Sequence, residues 1–97
     1  MTRREYPIRL TINGRRIIKV VIDPHYEVNH SSSINDAVIL ELVELLTGSS
    51  FEPEMELGNF QYFVSDNLVR SSKRYKLIWL LEKNALYIGV INAYRRR

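Results

Sequence analysis

Cysteine is absent from this chain of 97 residues. That excludes a disulfide framework, a thiolate zinc site and a cysteine nucleophile, and it agrees with the cytosol as the place of work. No apolar run approaches the ~18–20 residues that a membrane span needs, so no membrane partner is expected. The opening Met1-Thr2-Arg3-Arg4-Glu5-Tyr6-Pro7 has basic residues but no apolar stretch behind them, and no signal peptide is expected. A Gly-rich phosphate loop, a Gly-x-Ser-x-Gly elbow, a His-Glu-x-x-His motif and an EF-hand loop are all missing. Their absence removes most nucleotide-dependent and metallohydrolase chemistry. Internal repeats and low-complexity tracts are missing too. What remains is 45% apolar, enough for one core, and residues 1–97 are read as a single domain.

Charge of one sign is missing from the middle. Residues 20–69 hold nine acids and no Lys or Arg, a net of −9. Residues 1–19 sum to +5 and residues 70–97 to +7. Two basic ends therefore flank an acidic segment. Such a chain can meet a polyanion with one side and a cationic partner with the other, although ordinary solvated faces have the same composition.

The order of elements reads β-β-α-β-β-β. Ile8, Leu10 and Ile12, then Asn13-Gly14, then Ile18, Val20 and Ile22 spell a hairpin, because a type I′ turn needs positive φ at both turn positions. Asp23-Pro24 ends the second strand. The spacing of Val38, Ile39, Leu42, Val43, Leu45 and Leu46 predicts an amphipathic helix over 34–47, with Ser33 as N-cap, Asp36 in its first turn and Gly48 as its stop. Residues 49–59 read as a loop whose Glu52, Glu54 and Glu56 are solvated. Strands follow at 60–64 (continuing through Leu68 and Val69), 75–82 and 86–94. The fold class expected is α+β: an N-terminal β-hairpin, one amphipathic helix, and a three-stranded antiparallel meander packed on that helix.

A two-residue turn at Lys83-Asn84 sets Leu81, Trp79, Leu77 and Tyr75 opposite Leu86, Ile88, Val90 and Asn92, the face the helix must cover. The other face then carries Arg74, Lys76, Ile78, Leu80, Tyr87, Gly89, Ile91, Ala93 and Arg95. Its far end is basic, a composition that suits a phosphate backbone or, equally, a soluble sheet edge.

The run Arg74-Tyr75-Lys76-Leu77-Ile78-Trp79-Leu80-Leu81-Glu82, a turn, and Leu86 to Arg96 resembles the closing hairpin of RelE-type toxins. The segments Asp23-Pro24-His25-Tyr26 and His30-Ser31-Ser32-Ser33-Ile34 resemble the helix entry of BrnT-type relatives. The resemblance implies a small α+β toxin fold, cleavage of messenger RNA free or on the ribosome, and neutralisation by a cognate antitoxin. By position Lys76 stands for the family's arginine after the tyrosine, and Arg96 (Arg95 if a bulge shifts the face) for its basic doublet. The opening hairpin departs from the family pattern, and so does the end of the sequence, where the family's tyrosine-bearing tail is not matched; either Tyr94 or Tyr87 substitutes, or no tyrosine takes part.

The expected activity is that of a toxin-like endoribonuclease cleaving RNA without metal or cofactor, through basic side chains on an open sheet face. Lys76 and Arg96 would stabilise the phosphate, and His30 or Tyr94 would move the proton. Arg70, Lys73, Arg74, Arg95, Arg15 and Arg16 would contact RNA, the last two by extending one basic surface that holds most of the fourteen basic residues. Binding would then weaken steeply with salt. His25 and His30, with Asp23 and Glu27 nearby, lack a recognised metal-ligand spacing, and no metal is expected. The alternative is a non-catalytic member of the same fold that binds only a protein partner.

Overall fold

A computed structural model describes residues 2–96. The Asn-Gly cue forms the hairpin it predicts. Asn13 and Gly14 take φ of 53° and 72°, and β1 (Arg4–Ile12) returns as antiparallel β2 (Arg15–Ile22). Pro7 is tolerated inside β1 because β1 is an edge strand, where a missing N–H need not break a ladder. The register shifts between Pro7 and Leu10. As a result Ile17 is fully buried and Ile18, expected inside, is exposed.

After β2 come a 3₁₀ turn (Pro24–Tyr26), α1 (Glu27–His30), α2 (Asp36–Glu44), β3 (Met55–Leu57), β4 (Phe60–Arg70), β5 (Lys73–Glu82) and β6 (Tyr87–Arg96). The expected layout of hairpin, one helix and three-stranded meander is overturned. Hairpin and meander are one six-stranded mixed sheet in the order β1-β2-β6-β5-β4-β3. The junction is parallel: Lys19 to Ile22 of β2 lie along Tyr87 to Val90 of β6. A parallel pair needs a long crossover, and everything between Asp23 and Leu86 supplies it. The sixth strand, β3, arises inside the stretch read as a loop, with Met55 and Leu57 opposite Tyr62 and Phe60. Helix is confined to two short segments beyond the 3₁₀ turn, unlike the small toxin fold the resemblance implies.

The longer helix is shorter than the predicted 34–47. Asn35, extended at φ −140°, is its N-cap, and its Oδ1 accepts from the Val38 N–H at 2.9 Å. Ser33 cannot serve, because the Ser33 and Ile34 N–H groups both donate to the His30 carbonyl and close a turn behind α1.

Val38, Ile39, Leu42 and Val43 of α2 bury one face of the sheet. Beneath them Tyr75, Leu77, Trp79 and Leu81 of β5 alternate inward, joined by Phe63, Ile88 and Val90. Phe63 stacks on Trp79 at 4.1 Å, and Phe51 meets the same indole edge-on at 5.4 Å. The buried indole N–H donates to Ser65 Oγ at 2.9 Å, so the one buried polar side chain among the described residues satisfies it. Asn13 holds Phe51 in place: its amide donates to the Phe51 carbonyl and accepts from the Phe51 N–H. The opposite face of the sheet is left uncovered by α2 and is met near the end of β6 by His30 of α1.

Candidate functional site

The uncovered face is set by alternation along β5, which puts Arg74, Lys76, Ile78 and Leu80 opposite the core-facing row. Across the ladder the register differs from the one expected. The β5–β6 connection is four residues long, so Leu81 pairs with Ile88 and Trp79 with Val90. One extra residue of β6 then bulges opposite Ile78/Trp79. Beyond the bulge every β6 side chain changes face. Ala93 becomes core, Arg95 pairs with the core-side Tyr75, and Tyr94 and Arg96 join Lys76 and Arg74 on the uncovered face. Arg95 is thus removed from the face on which alternation alone had placed it, and Arg96 takes its place.

Three of the four candidate catalytic side chains meet at this end. His30, at the end of α1, stacks on the Tyr94 ring with centroids 5.1 Å apart and planes 25° from parallel. The Lys76 Nζ lies 5.6 Å from the centroid of the same ring, within cation–π range. All three side chains are half-buried. Arg96 follows two residues after Tyr94, opposite Arg74, but its guanidinium is paired with Asp66 at 3.2 Å. Arg74 donates to Asn67 Oδ1 at 3.3 Å. Among the described residues neither Arg74 nor Lys76 has a carboxylate within ion-pair distance. An imidazole, a phenol, an ammonium and a guanidinium converge on one surface.

The remaining expected RNA contacts are dispersed. Arg70 reaches back over the core side and pairs with Glu41 of α2, a contact that raises its pKa. Lys73 sits at the β4–β5 turn, in register with Arg70. Arg15 donates to the carbonyls of Glu82 and Ala85 at 2.7 and 2.8 Å, so it caps the β5–β6 turn instead of extending a basic sheet. Arg16 is exposed near Arg9 and Thr47, at the distal end of the first hairpin. The uncovered face also carries carboxylates: Glu5 pairs with Lys19, and Asp23 lies 4.0 Å from Arg3. The expected basic residues do not gather on one surface, because strand register sets Arg70, Lys73 and Arg95 on the core side and Arg74 and Arg96 on the other. His25 lies outside the cluster; its N–H donates to Asp23 Oδ1, the cap of the 3₁₀ turn.

Two features escaped the sequence reading. The first is a hub at Asp36, expected only as an acid in the first turn of the helix. The Arg4 guanidinium donates to both its oxygens, at 2.6 and 2.8 Å, and the hydroxyls of Tyr6 and Tyr26 donate at 2.5 and 2.7 Å. Arg4 and these hydroxyls hold the Asp36 carboxyl down at about 2, while burial and the same carboxylate push Tyr26 up to about 12. The hub brackets the segment that carries His30. A first-turn aspartate with an arginine and two tyrosines 10 to 32 residues away gives no local signal for it. The second is a trough of about 520 Å³ on the uncovered face, floored by Gly89 and walled by Tyr62 and Tyr87. No three His, Asp or Glu side chains among the described residues are placed to hold a metal ion. No helix among them is long and apolar enough to cross a membrane. No protein-family model, curated protein or solved structure matches this chain, so the chemistry of its own side chains carries the reading of the site.

Proposed function

We propose that this chain is a metal-independent endoribonuclease with the toxin-type chemistry of RelE-like proteins, acting on RNA in the cytosol. The convergence of His30, Tyr94 and Lys76 supports it, since these side chains lie on separate elements and their types suit one reaction. The His30 imidazole takes the proton from a ribose 2′-hydroxyl, and the resulting oxygen attacks the adjacent phosphorus. The bond from phosphorus to the 5′ oxygen breaks, and that oxygen takes the proton of Tyr94, which solvent restores. Lys76 and Arg74 face the charge that grows on the phosphoryl oxygens, with Arg96 shared between that charge and Asp66. The products are a 2′,3′-cyclic phosphate and a 5′-hydroxyl.

The test is incubation of the purified protein with end-labelled messenger RNA in the presence of a chelator, with and without ribosomes. Cleavage leaving a cyclic phosphate is expected, lowered at least ~100-fold in His30→Ala and in Tyr94→Phe. Intact RNA in both mixtures would sink the proposal. A second reading, a non-catalytic protein that binds only a protein partner, is favoured by β3. That edge strand exposes Met55 and Leu57 beside Glu54 and Glu56, a surface fit for an added strand of basic character, as an antitoxin could offer.

A further inference from the structure

The trough has three kinds of lining. Its floor is apolar: Val21 of β2, Gly89 and Ile91 of β6, and Leu80 of β5. Gly89 is what keeps the floor flat, since a Cβ there would meet Leu80 Cδ1 at 2.9 Å. One wall is aromatic. Phe60 and Tyr62 lie with centroids 6.4 Å apart, and the Tyr87 hydroxyl donates to Glu82 at 2.6 Å. The other wall is ionic, with Lys19 against Glu5 at 3.0 Å and Arg3 beside Asp23. At about 520 Å³ the space matches a small-molecule site and is too small for a folded partner.

We propose that this trough is a nucleobase subsite, holding one unpaired RNA base that bears an amino group in preference to uracil. The proposal rests on the ribonuclease reading. Three carboxylates against two cations make the trough a poor seat for phosphate. They make it a good one for a base edge rich in donors, because Asp and Glu accept from exocyclic amines. Uracil has no such amine and turns carbonyl oxygens toward the same carboxylates. The aromatic wall supplies the π-face on which an unstacked base rests. The trough also lies in line with the proposed reaction cluster along the same two strands. Leu80 and Lys76 share a face of β5, about 13 Å apart at ~3.3 Å per residue, and Ile91 precedes Tyr94 by three residues along β6. A strand of RNA lying along β5 and β6 therefore puts a base in the trough while a nearby phosphate reaches Lys76.

The experiment titrates the whole protein with AMP, CMP, GMP and UMP, following backbone amide shifts, and maps the bases flanking each cut in RNA. Shifts at Tyr87, Gly89 and Ile91 are expected with the amino-bearing nucleotides, with at least tenfold weaker binding of UMP. Glu5→Gln and Tyr62→Ala, both partly exposed positions, should relax that preference. RNA cleavage with no shifts in the trough, or with a base preference untouched by both variants, would overturn the subsite and leave the ribonuclease reading standing. Selective nucleotide binding in the trough without any cleavage would support the subsite and remove the catalysis. Equal shifts from all four nucleotides would overturn the selectivity, and displacement of nucleotide only by a protein partner would assign the trough to that partner.

Discussion

Asp36 accepts four side-chain hydrogen bonds, and its behaviour with pH follows from them. Its carboxyl titrates at about 2 in the fold against 3.8 unfolded. A depressed carboxylate stabilises the fold above the unfolded value, and that stabilisation drains as pH falls from about 4 towards 2. Tyr26 and Tyr87 have the opposite sense. Both are raised from 10 to about 12, Tyr26 chiefly by burial and Asp36, Tyr87 by burial and Glu82. Their contribution is complete below pH 10 and is lost as pH rises through about 12. Chemical denaturation across this range should thus give a plateau with two falling limbs. Asp36→Ala should lower the plateau by about 2 kcal/mol, the size of losing charge-assisted hydrogen bonds, and should flatten the acid limb. An acid limb of unchanged slope in that variant would mean that other carboxylates set the acid stability.

At the scale of elements, the contact that matters most for the layout is Arg15. It sits at the start of β2, and its guanidinium closes onto the carbonyl that ends β5 and one within the β5–β6 turn. This clamp, together with the Ile18 N–H donating to the Leu86 carbonyl at 2.8 Å, docks the hairpin onto the meander where the parallel pair begins. Arg15→Glu would replace two donors by a carboxylate facing carbonyl oxygens. We expect a loss of about 1–3 kcal/mol, read as a fall in Tm of several degrees for a domain of this size. Arg16→Glu, exposed and free of such contacts, should leave Tm within about a degree, in line with ordinary surface substitutions. Equal melting of the two variants would show that the clamp contributes nothing. Local patterns foretold the Asn13-Gly14 turn, the alternating core row of β5 and the existence of α2, because each is written in neighbouring residues. The parallel β2–β6 pair, the β6 bulge that exchanges Arg95 for Arg96, and β3 depend on residues far apart in the chain. Nothing in a local period encodes them. Lys76, His30 and Tyr94 were legible as residue types suited to the proposed chemistry, and their proximity was not; Arg70 and Arg15 looked equally suitable and are held by Glu41 and by turn carbonyls.

For the whole molecule, the acidic middle of the chain does not stand behind a basic face but threads through it. Asp23 faces Arg3, Asp36 and Glu27 hold Arg4, Glu41 holds Arg70 and Asp66 holds Arg96, so five acids from residues 20–69 pair with cations from both basic ends. Glu5 and Lys19 pair within the first hairpin. Around Tyr94 this leaves Arg74 and Lys76 as cations without a carboxylate partner among the described residues, and on the proposed reading Arg96 must leave Asp66 to reach a phosphate. Each phosphate contact on a single strand adds about −0.7 to the slope of log K against log salt. Two or three contacts predict a slope of about −1.4 to −2, far shallower than a face bearing most of the basic residues would give. Measured on a non-cleavable RNA, Lys76→Ala should reduce the slope by about 0.7, whereas Arg70→Ala should leave it unchanged because Arg70 is turned toward α2. A slope near −5 would require the exposed Arg9, Arg16, Lys73 and Arg95 to reach the strand as well, and RNA would then have to wrap both faces of the sheet.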